Sequence, residues 1–308
     1  MKKMISLLLI LIIVFVCGCA DPSVQRSESE KIKIVTTIFP FYDFAKNIVG
    51  DRAEVTMLLP TGADVHSFEP TTQDIIKIKD SDLFINIGSG ADPWTDVVIE
   101  DSQNDGVFVV SASRFVDKDH LHYDHNATNG HNYNFDEHIW TSLSNAEDIV
   151  EGICDALMRI DTKNAQYYKK NAEVYENKLD RLDEQFENLA EKSRRNTLVF
   201  ADFFPFAYLA DDYDFKYLSA FPGCSSESEP SAQSIANIIN FVKEKNIPFV
   251  FYTETSNQKV ADMICEETGA QKLLLHSCHT VTKRQFESGT TYLELMEENL
   301  KAIKKALN

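Results

Sequence analysis

The chain has 308 residues and carries 48 acidic against 30 basic side chains, which gives a formal net charge of -18. This excess of negative charge repels phosphate backbones, so it excludes nucleic acid as the expected partner and favours an accumulation of cations around the surface. A chain of this length exceeds what one ordinary core requires, and we expect two domains.

The first residues predict export from the cytoplasm. A pair of lysines precedes an apolar run over residues 5–16, which is too short to span a membrane and is typical of a secretory signal. The sequence VCGC that follows resembles a bacterial lipobox, in which cleavage before Cys19 leaves that cysteine to carry a lipid. We expect a lipoprotein signal over residues 1–19, with an ordinary signal peptide as the alternative, and a polar tether over residues 20–30.

Short apolar runs rich in β-branched residues predict four strands in each half of the chain. These runs are residues 32–38, 55–59, 83–87 and 107–110, then 197–201, 215–220, 249–252 and 272–275. Helical patterns lie between them. Because strands that alternate with helices form parallel sheets covered by helices, each half is predicted to be one α/β lobe. We place the N-terminal lobe at residues 31–160 and the C-terminal lobe at residues 196–308.

Residues 161–195 predict one long helix that joins the two lobes. The segment contains no glycine or proline, and its apolar residues recur at alternating steps of four and three: Tyr168, Ala172, Tyr175, Leu179, Leu182, Phe186 and Leu189. A coiled-coil dimer is the competing interpretation, but the aromatic stripe and the short length favour packing against the chain's own lobes. Such a helix resists hinge bending, so we expect limited closure on a ligand.

A segment rich in histidine precedes Trp140. Five of the eight histidines lie within it: His120, His122, His125, His131 and His138. Neutral imidazole is the commonest metal ligand, and a tract rich in histidine is typical of metal binding. A solvated loop without function is the alternative.

Other residues that can bind a metal follow the predicted strands. His66 lies beyond the strand 55–59, Asp202 follows 197–201, Glu254 ends the stretch FVFYTE, and His276 ends KLLLH with His279 three residues later. Ligands of open α/β sheets collect at the carboxyl ends of the strands. Together with His138 these residues predict a metal site in the cleft between the lobes, and the imidazoles suit Zn²⁺ better than Ca²⁺ or Mg²⁺. Asp136 and Glu137, beside His138, are also interpretable as solvated acids.

Four cysteines remain outside the signal, namely Cys154, Cys224, Cys265 and Cys278, and their spacing matches no paired zinc-finger pattern. An exported protein permits a disulfide. We expect one between Cys224 and Cys278 because both fall in turns of the second half, with four buried thiols as the alternative.

Several stretches resemble one family of transport proteins. These are KIVTTIFPFYDFAKNI, LPTGADVHSFEPT, DEHIW, FAYLADDY, ESEPSAQSI and TYLELMEENLKAI. They are similar to the metal-specific solute-binding lipoproteins of ABC importers, the zinc and manganese group, over nearly all of the mature chain. The resemblance implies two α/β lobes joined by a single long helix with the metal between them. It also implies that His66 and His138 are metal ligands, and it puts His276 at the position of a family Asp or Glu ligand.

The chain departs from the family at one ligand. The family's third ligand, His or Glu, falls on Phe203, whose side chain cannot bind a metal. Either a one-residue insertion lets Asp202 take the role, which we favour, or the site draws on Glu254, Glu229, His279 or water.

The resemblance implies capture of Zn²⁺ outside the cytoplasmic membrane and delivery to an ABC permease with its ATPase, with no reaction catalysed. It further implies a lipid-anchored monomer whose loop 117–134 is a low-affinity collector of metal. Histidine in that loop favours Zn²⁺ over Mn²⁺, so a manganese-binding protein is an alternative. A zinc hydrolase is a weaker alternative, since the hydrolase motifs H-E-x-x-H and G-x-S-x-G are absent from the sequence. An adhesin or metal-buffering lipoprotein is a third.

Overall fold

The first half of the chain forms a four-stranded parallel sheet with helices packed on it. The computed structural model describes residues 31–88, 93–118, 121–122, 135–221 and 230–308. The sheet has the order β2-β1-β3-β4, with β1 at Ile32–Thr36, β2 at Ala53–Met57, β3 at Leu83–Asn86 and β4 at Phe108–Ser111. The helices are α1 at Phe39–Val49, α2 at Thr72–Lys79, α3 at Pro93–Asn104 and α4 at Leu143–Ile160.

The second half repeats this arrangement. Its parallel sheet has the order β6-β5-β7-β8, with β5 at Thr197–Phe200, β6 at Lys216–Ser219, β7 at Phe249–Tyr252 and β8 at Gln271–Leu274. Its helices are α6 at Ala207–Asp212, α7 at Ala232–Lys245, α8 at Lys259–Thr268, α9 at Lys283–Ser288 and α10 at Tyr292–Leu307. The predicted fold of two α/β lobes is confirmed.

A single long helix, α5 (Ala165–Lys192), connects the lobes as predicted. Its 28 residues correspond to about 42 Å at 1.5 Å per residue. Its seven buried residues are those of the predicted stripe: Tyr168, Ala172, Tyr175, Leu179, Leu182, Phe186 and Leu189. A short 3₁₀ turn, Thr162–Asn164, precedes the helix, so the α-helical part begins a few residues later than the sequence predicts.

Elements from both lobes share one core around α5. Ile34 of β1, Phe186 of α5 and Leu295 of α10 belong to the same cluster of buried apolar side chains. A buried carboxylate lies within this cluster: Asp43 of α1 accepts hydrogen bonds from the Tyr175 hydroxyl, at 2.9 Å, and from the Tyr292 backbone N–H, at 3.1 Å. Because this core and this carboxylate join elements of both lobes to α5, the packing favours lobes that move little relative to each other.

Cys278 is a free thiol in the structure, as are Cys154 and Cys265, so the expected bond to Cys224 is not formed there. The reason is the position of Cys278: its side chain is fully buried, and its Sγ lies 3.6 Å from the carbonyl oxygen of His276, to which it donates. Cys224, Cys19 and the predicted signal and tether lie outside the described residues. Within the part of the chain that the structure describes, no helix has both the length and the apolar content needed to cross a membrane.

Candidate metal site

Three loops meet where the two lobes face each other. The loop after β2 carries His66 on a 3₁₀ turn, Val65–Ser67, that Asp64 caps by accepting from the His66 N–H at 2.9 Å. The loop before α4 carries His138, and the loop after β8 carries His279. All three loops follow the carboxyl ends of strands, which is where parallel sheets bind their ligands.

Hydrogen bonds hold the β8 loop of the second lobe directly against the first lobe. The Trp140 indole N–H donates to the carbonyl oxygen of Ser277 at 2.8 Å. The backbone N–H of Gly62 donates to Thr280 Oγ1 at 2.9 Å, and the N–H of Phe39 donates to the carbonyl oxygen of His279 at 3.2 Å. The position of His279 relative to the first lobe is therefore fixed by several independent contacts.

The three imidazoles form one buried cluster. One ligand atom from each of His66, His138 and His279 lies within 4.8 Å of the others, and the ring centroids of His138 and His279 are 4.5 Å apart. The Nε2 atom of each ring is buried and has no hydrogen-bond partner among the described residues. Since buried polar atoms in proteins are almost always paired, three such nitrogens close together form a group that could hold a metal ion.

Carboxylates fix the orientation of the two first-lobe imidazoles. Nδ1 of His138 lies 2.6 Å from Asp136 Oδ1, and Nδ1 of His66 lies 3.1 Å from Glu137 Oε1. An ionised carboxylate only accepts hydrogen bonds, so Nδ1 carries the proton in both rings and Nε2 is the atom left for a metal.

A serine and a glutamate orient the third imidazole so that, as in the other two rings, Nδ1 carries the proton. Nδ1 of His279 lies 2.8 Å from the hydroxyl oxygen of Ser277. That hydroxyl donates to Glu254 Oε1 at 2.6 Å, and the backbone N–H of Ser277 donates to Glu254 Oε2 at 2.8 Å. Because the Ser277 proton goes to Glu254, its oxygen accepts from Nδ1–H of His279, and Nε2 of His279 keeps its lone pair.

The electrostatics differ between the rings. Burial, together with the nearby imidazoles of His138, His66 and His276, holds the pKa of His279 well below its usual range. Burial also acts to lower the pKa of His138, but the charge and hydrogen bond of Asp136 outweigh it and raise that pKa. His279 thus offers a neutral donor, whereas Asp136 favours the protonated form of His138, with which a metal competes for Nε2.

The structure does not bring Asp202 or His276 to this cluster. Asp202 is buried at the ends of β5 and β7, where its carboxylate accepts from the Thr253 hydroxyl at 3.0 Å and from the Phe203 N–H at 3.0 Å. Nδ1 of His276 accepts from the Cys278 N–H at 3.0 Å. Between the two histidines of this loop, Cys278 adopts a left-handed φ of 65°, which turns the chain and directs His279 into the cluster.

Of the four histidines in the predicted collector loop, only His122 is among the described residues; His120, His125 and His131, like Glu229, lie outside them. Nε2 of His122 lies 2.9 Å from Asp211 Oδ2. The sequence patterns predict no role for Ser277, Asp136 or Glu137 as hydrogen-bond partners of the metal-site histidines. The acidic pair directly before His138 was the feature of the sequence that could have indicated these roles. A metal-binding histidine commonly donates its other ring N–H to a carboxylate.

Comparison with known proteins shows the family of this chain. The family model described as "ZnuA: Zinc-uptake complex component A periplasmic" matches residues 34–306. Zinc-binding protein AdcA of Streptococcus pyogenes serotype M3 is 31% identical over 319 residues, covering 99% of this chain and 61% of the relative. The high-affinity zinc uptake system protein ZnuA of Bacillus subtilis is 31% identical over 300 residues, covering 95% of this chain and 93% of that protein.

Solved structures agree with the sequence comparisons. The Zn(II)-bound ZnuA-like domain of Streptococcus pneumoniae AdcA superposes with a TM-score of 0.77 at 29% identity, covering 90% of this chain and 99% of that one. The chain spans only 61% of the length of the streptococcal AdcA relatives. Because the family model covers most of the sequence, the chain belongs to the ZnuA family of zinc-uptake complex components.

Proposed function

We propose that this protein captures Zn²⁺ outside the cytoplasmic membrane and delivers it to an ABC permease with its ATPase, catalysing no reaction itself. The observation that carries the proposal is the convergence of three buried Nε2 atoms, from His66, His138 and His279, that have no hydrogen-bond partner in the part of the chain that the structure describes. The similarity to a Bacillus subtilis protein of matching length that is named for high-affinity zinc uptake supports it.

The proposed ligands are His66, His138 and His279. Three imidazoles favour Zn²⁺ over Mn²⁺, which prefers carboxylate oxygens. Zinc usually takes four ligands, and Asp136 and Glu137 group with His138 as possible donors, so a carboxylate or water is available for the fourth position. Within this proposal Glu254 acts on His279 through Ser277, while Asp202 and His276 are structural.

The remaining parts of the chain receive roles consistent with capture at the membrane surface. Cys19 carries the lipid, and residues 20–30 tether the protein. Residues 31–160 and 196–308 form the lobes, and residues 161–195 link them. The segment 117–134 collects zinc with low affinity, because several exchangeable imidazoles raise the local metal concentration beside the cleft. The protein acts as a monomer.

Calorimetric titration of the demetallated chain from residue 20, with Zn²⁺ and with Mn²⁺, tests the proposal. Wild type is expected to show one tight zinc site and additional weak ones. His66→Ala, His138→Ala and His279→Ala each lose the tight site, since each removes one of three donors. His276→Ala is the matched control, because it removes a buried histidine of the same loop that holds no place in the cluster. Tight binding that survives His279→Ala contradicts the proposed ligand set.

A deletion of residues 123–134 tests the collector role separately. The deletion is feasible because the Asp136 N–H donates to the His122 carbonyl oxygen at 2.7 Å, so the two ends of the segment are adjacent. It is expected to remove weak zinc sites and leave the tight one.

Uptake of radioactive zinc by cells carrying wild type, His279→Ala or Cys19→Ala then tests delivery and anchoring. Cys19→Ala protein that remains attached to the membrane contradicts the lipid anchor.

A further inference from the structure

We infer that Tyr208, on α6 of the second lobe, is a positioning residue for the metal ligand His138 of the first lobe; the inference rests on the proposed function. The Tyr208 hydroxyl donates to the carbonyl oxygen of Asp136 at 2.6 Å. Asp136 Oδ1 in turn accepts from the backbone N–H of His138 at 3.0 Å and pairs with its Nδ1 at 2.6 Å. A single residue therefore separates Tyr208 from the ligand.

The same hydroxyl also holds the start of the histidine-rich segment. It accepts from the backbone N–H of His122 at 3.3 Å, while the Asp136 N–H donates to the His122 carbonyl oxygen. The His122 ring packs edge-on against the Tyr208 ring, with centroids 4.6 Å apart, and its Nε2 pairs with Asp211, also on α6. Two stretches of the first lobe are thus attached side by side to one helix of the second.

This attachment makes the placement of His138 depend on the position of the second lobe. The second hydrogen-bonding partner of a metal-bound imidazole sets the ring orientation and affects affinity. Here that partner is Asp136. Its backbone carbonyl oxygen accepts a hydrogen bond from the hydroxyl of Tyr208, a residue that is only 2% exposed. A displacement of α6 shifts Asp136 and turns the His138 ring away from the metal. The release of zinc is therefore coupled to the separation of α6 from the first lobe.

Tyr208→Phe tests the inference because it removes the hydroxyl and keeps the ring. The matched control is Tyr213→Phe. Tyr213 follows α6 directly, is also buried, and donates to Asp183 Oδ1 at 2.5 Å, and within the described part of segment 117–138 its hydroxyl bonds no residue. Zinc-loaded proteins are mixed with excess chelator and the dissociation rate is measured. We expect about tenfold faster release from Tyr208→Phe, at the low end of the effect of outer-shell changes, and the wild-type rate from Tyr213→Phe.

A double-mutant cycle distinguishes positioning from general stabilisation. Asp136→Asn keeps the carbonyl group that accepts from Tyr208 but replaces the carboxylate that orients His138. If Tyr208 acts through Asp136, adding Tyr208→Phe to Asp136→Asn changes the release rate little beyond that of Asp136→Asn alone. Effects that multiply indicate independent action and overturn the inference. Absorption of the Co²⁺-loaded proteins reports the ligand geometry directly, and it is expected to change in Tyr208→Phe but not in Tyr213→Phe.

Release from Tyr208→Phe at the rate of wild type, or equal acceleration by Tyr213→Phe, overturns the inference and leaves the proposed function intact. A wild type that lacks tight zinc binding contradicts the proposed function and the inference with it.

If Tyr208→Phe does not fold, Asp211→Asn replaces it, since Asp211 is exposed and contacts the same junction through His122. Its expected acceleration is about threefold, from the strength of an exposed ion pair, and an unchanged rate overturns the inference.

Discussion

The hydroxyl oxygen of Ser277 lies 2.8 Å from Nδ1 of His279, and its proton is directed to Glu254. This serine therefore links the Glu254 carboxylate to an imidazole whose Nδ1 contacts no carboxylate directly among the described residues. His138 contacts Asp136 directly, and His66 contacts Glu137 directly. All three rings therefore interact with a carboxylate, two of them directly and His279 through Ser277.

Ser277→Ala is expected to weaken zinc binding by about tenfold to a hundredfold, the range for second partners of metal ligands, because Nδ1 of His279 loses its acceptor. Ser277→Thr keeps the hydroxyl and is expected to bind zinc nearly as wild type does. Competition with a chelating dye measures both affinities. Equal losses in the two variants would mean that the size of the side chain matters and the hydroxyl does not.

Asp202→Asn is expected to leave zinc affinity unchanged and to lower the free energy of unfolding by about 1–3 kcal/mol, the cost of disturbing a buried hydrogen-bonded group. The reason is that Asp202 joins the ends of β5 and β7 through Thr253. Urea unfolding of the metal-free protein measures the loss, and zinc titration supplies the comparison. A loss of zinc affinity of tenfold or more, with stability unchanged, would restore Asp202 as a metal ligand.

The stability of the metal-free protein is expected to depend on Asp43. Burial raises the pKa of this carboxyl to about 6, above its value in the unfolded chain, so the folded state binds more protons between about pH 4 and 6. The contribution of Asp43 is therefore complete below pH 4 and is lost as the pH rises through 6. Two pH units correspond to about 3 kcal/mol.

Urea unfolding of wild type and Asp43→Asn at pH values from 4 to 7 measures this contribution as the difference between their stabilities. The metal ligands titrate alike in both proteins, so they cancel from the difference. Wild type is expected to lose stability relative to Asp43→Asn as the pH rises. A difference that stays constant across this range would show that Asp43 titrates near its ordinary pKa.

The stripe on α5 offers a test of the shared core. Leu182→Ala removes a side chain that is 3% exposed and is expected to cost about 2–5 kcal/mol of stability. Val174→Ala is the control on the same helix, because Val174 is 51% exposed, and its replacement is expected to stay within about 0.5 kcal/mol. Similar losses in both variants would contradict the observed packing of the helix.

Periodicity was sufficient to predict the architecture. The apolar runs located all eight strands of the described residues, and spacings of three and four identified every buried residue of α5. These features are local, since a strand or a helix face repeats along the chain and shows itself in a short window. The positions of His66 and His138 beside predicted elements, together with the family resemblance, predicted these two ligands, which the structure brings together.

The third donor was harder to predict because it depends on how a loop turns. The sequence favoured Asp202 and His276, both at the ends of strands, with His279 as a possible ligand, whereas the structure directs His279 into the cluster after a left-handed residue at Cys278. A non-glycine residue in that conformation leaves no compositional signal. Ser277 was not predicted for a related reason: its role follows from contacts with Glu254, far away in the sequence.

The order of the three imidazoles along the chain has a consequence for when the metal is bound. His66 and His138 belong to the first lobe, but His279 follows β8, which among the described residues is the last strand in chain order. The complete set of donors does not exist until the second lobe has folded against the first. A partly synthesised or unfolded chain therefore lacks the assembled cluster, and only the folded protein presents the three imidazoles together.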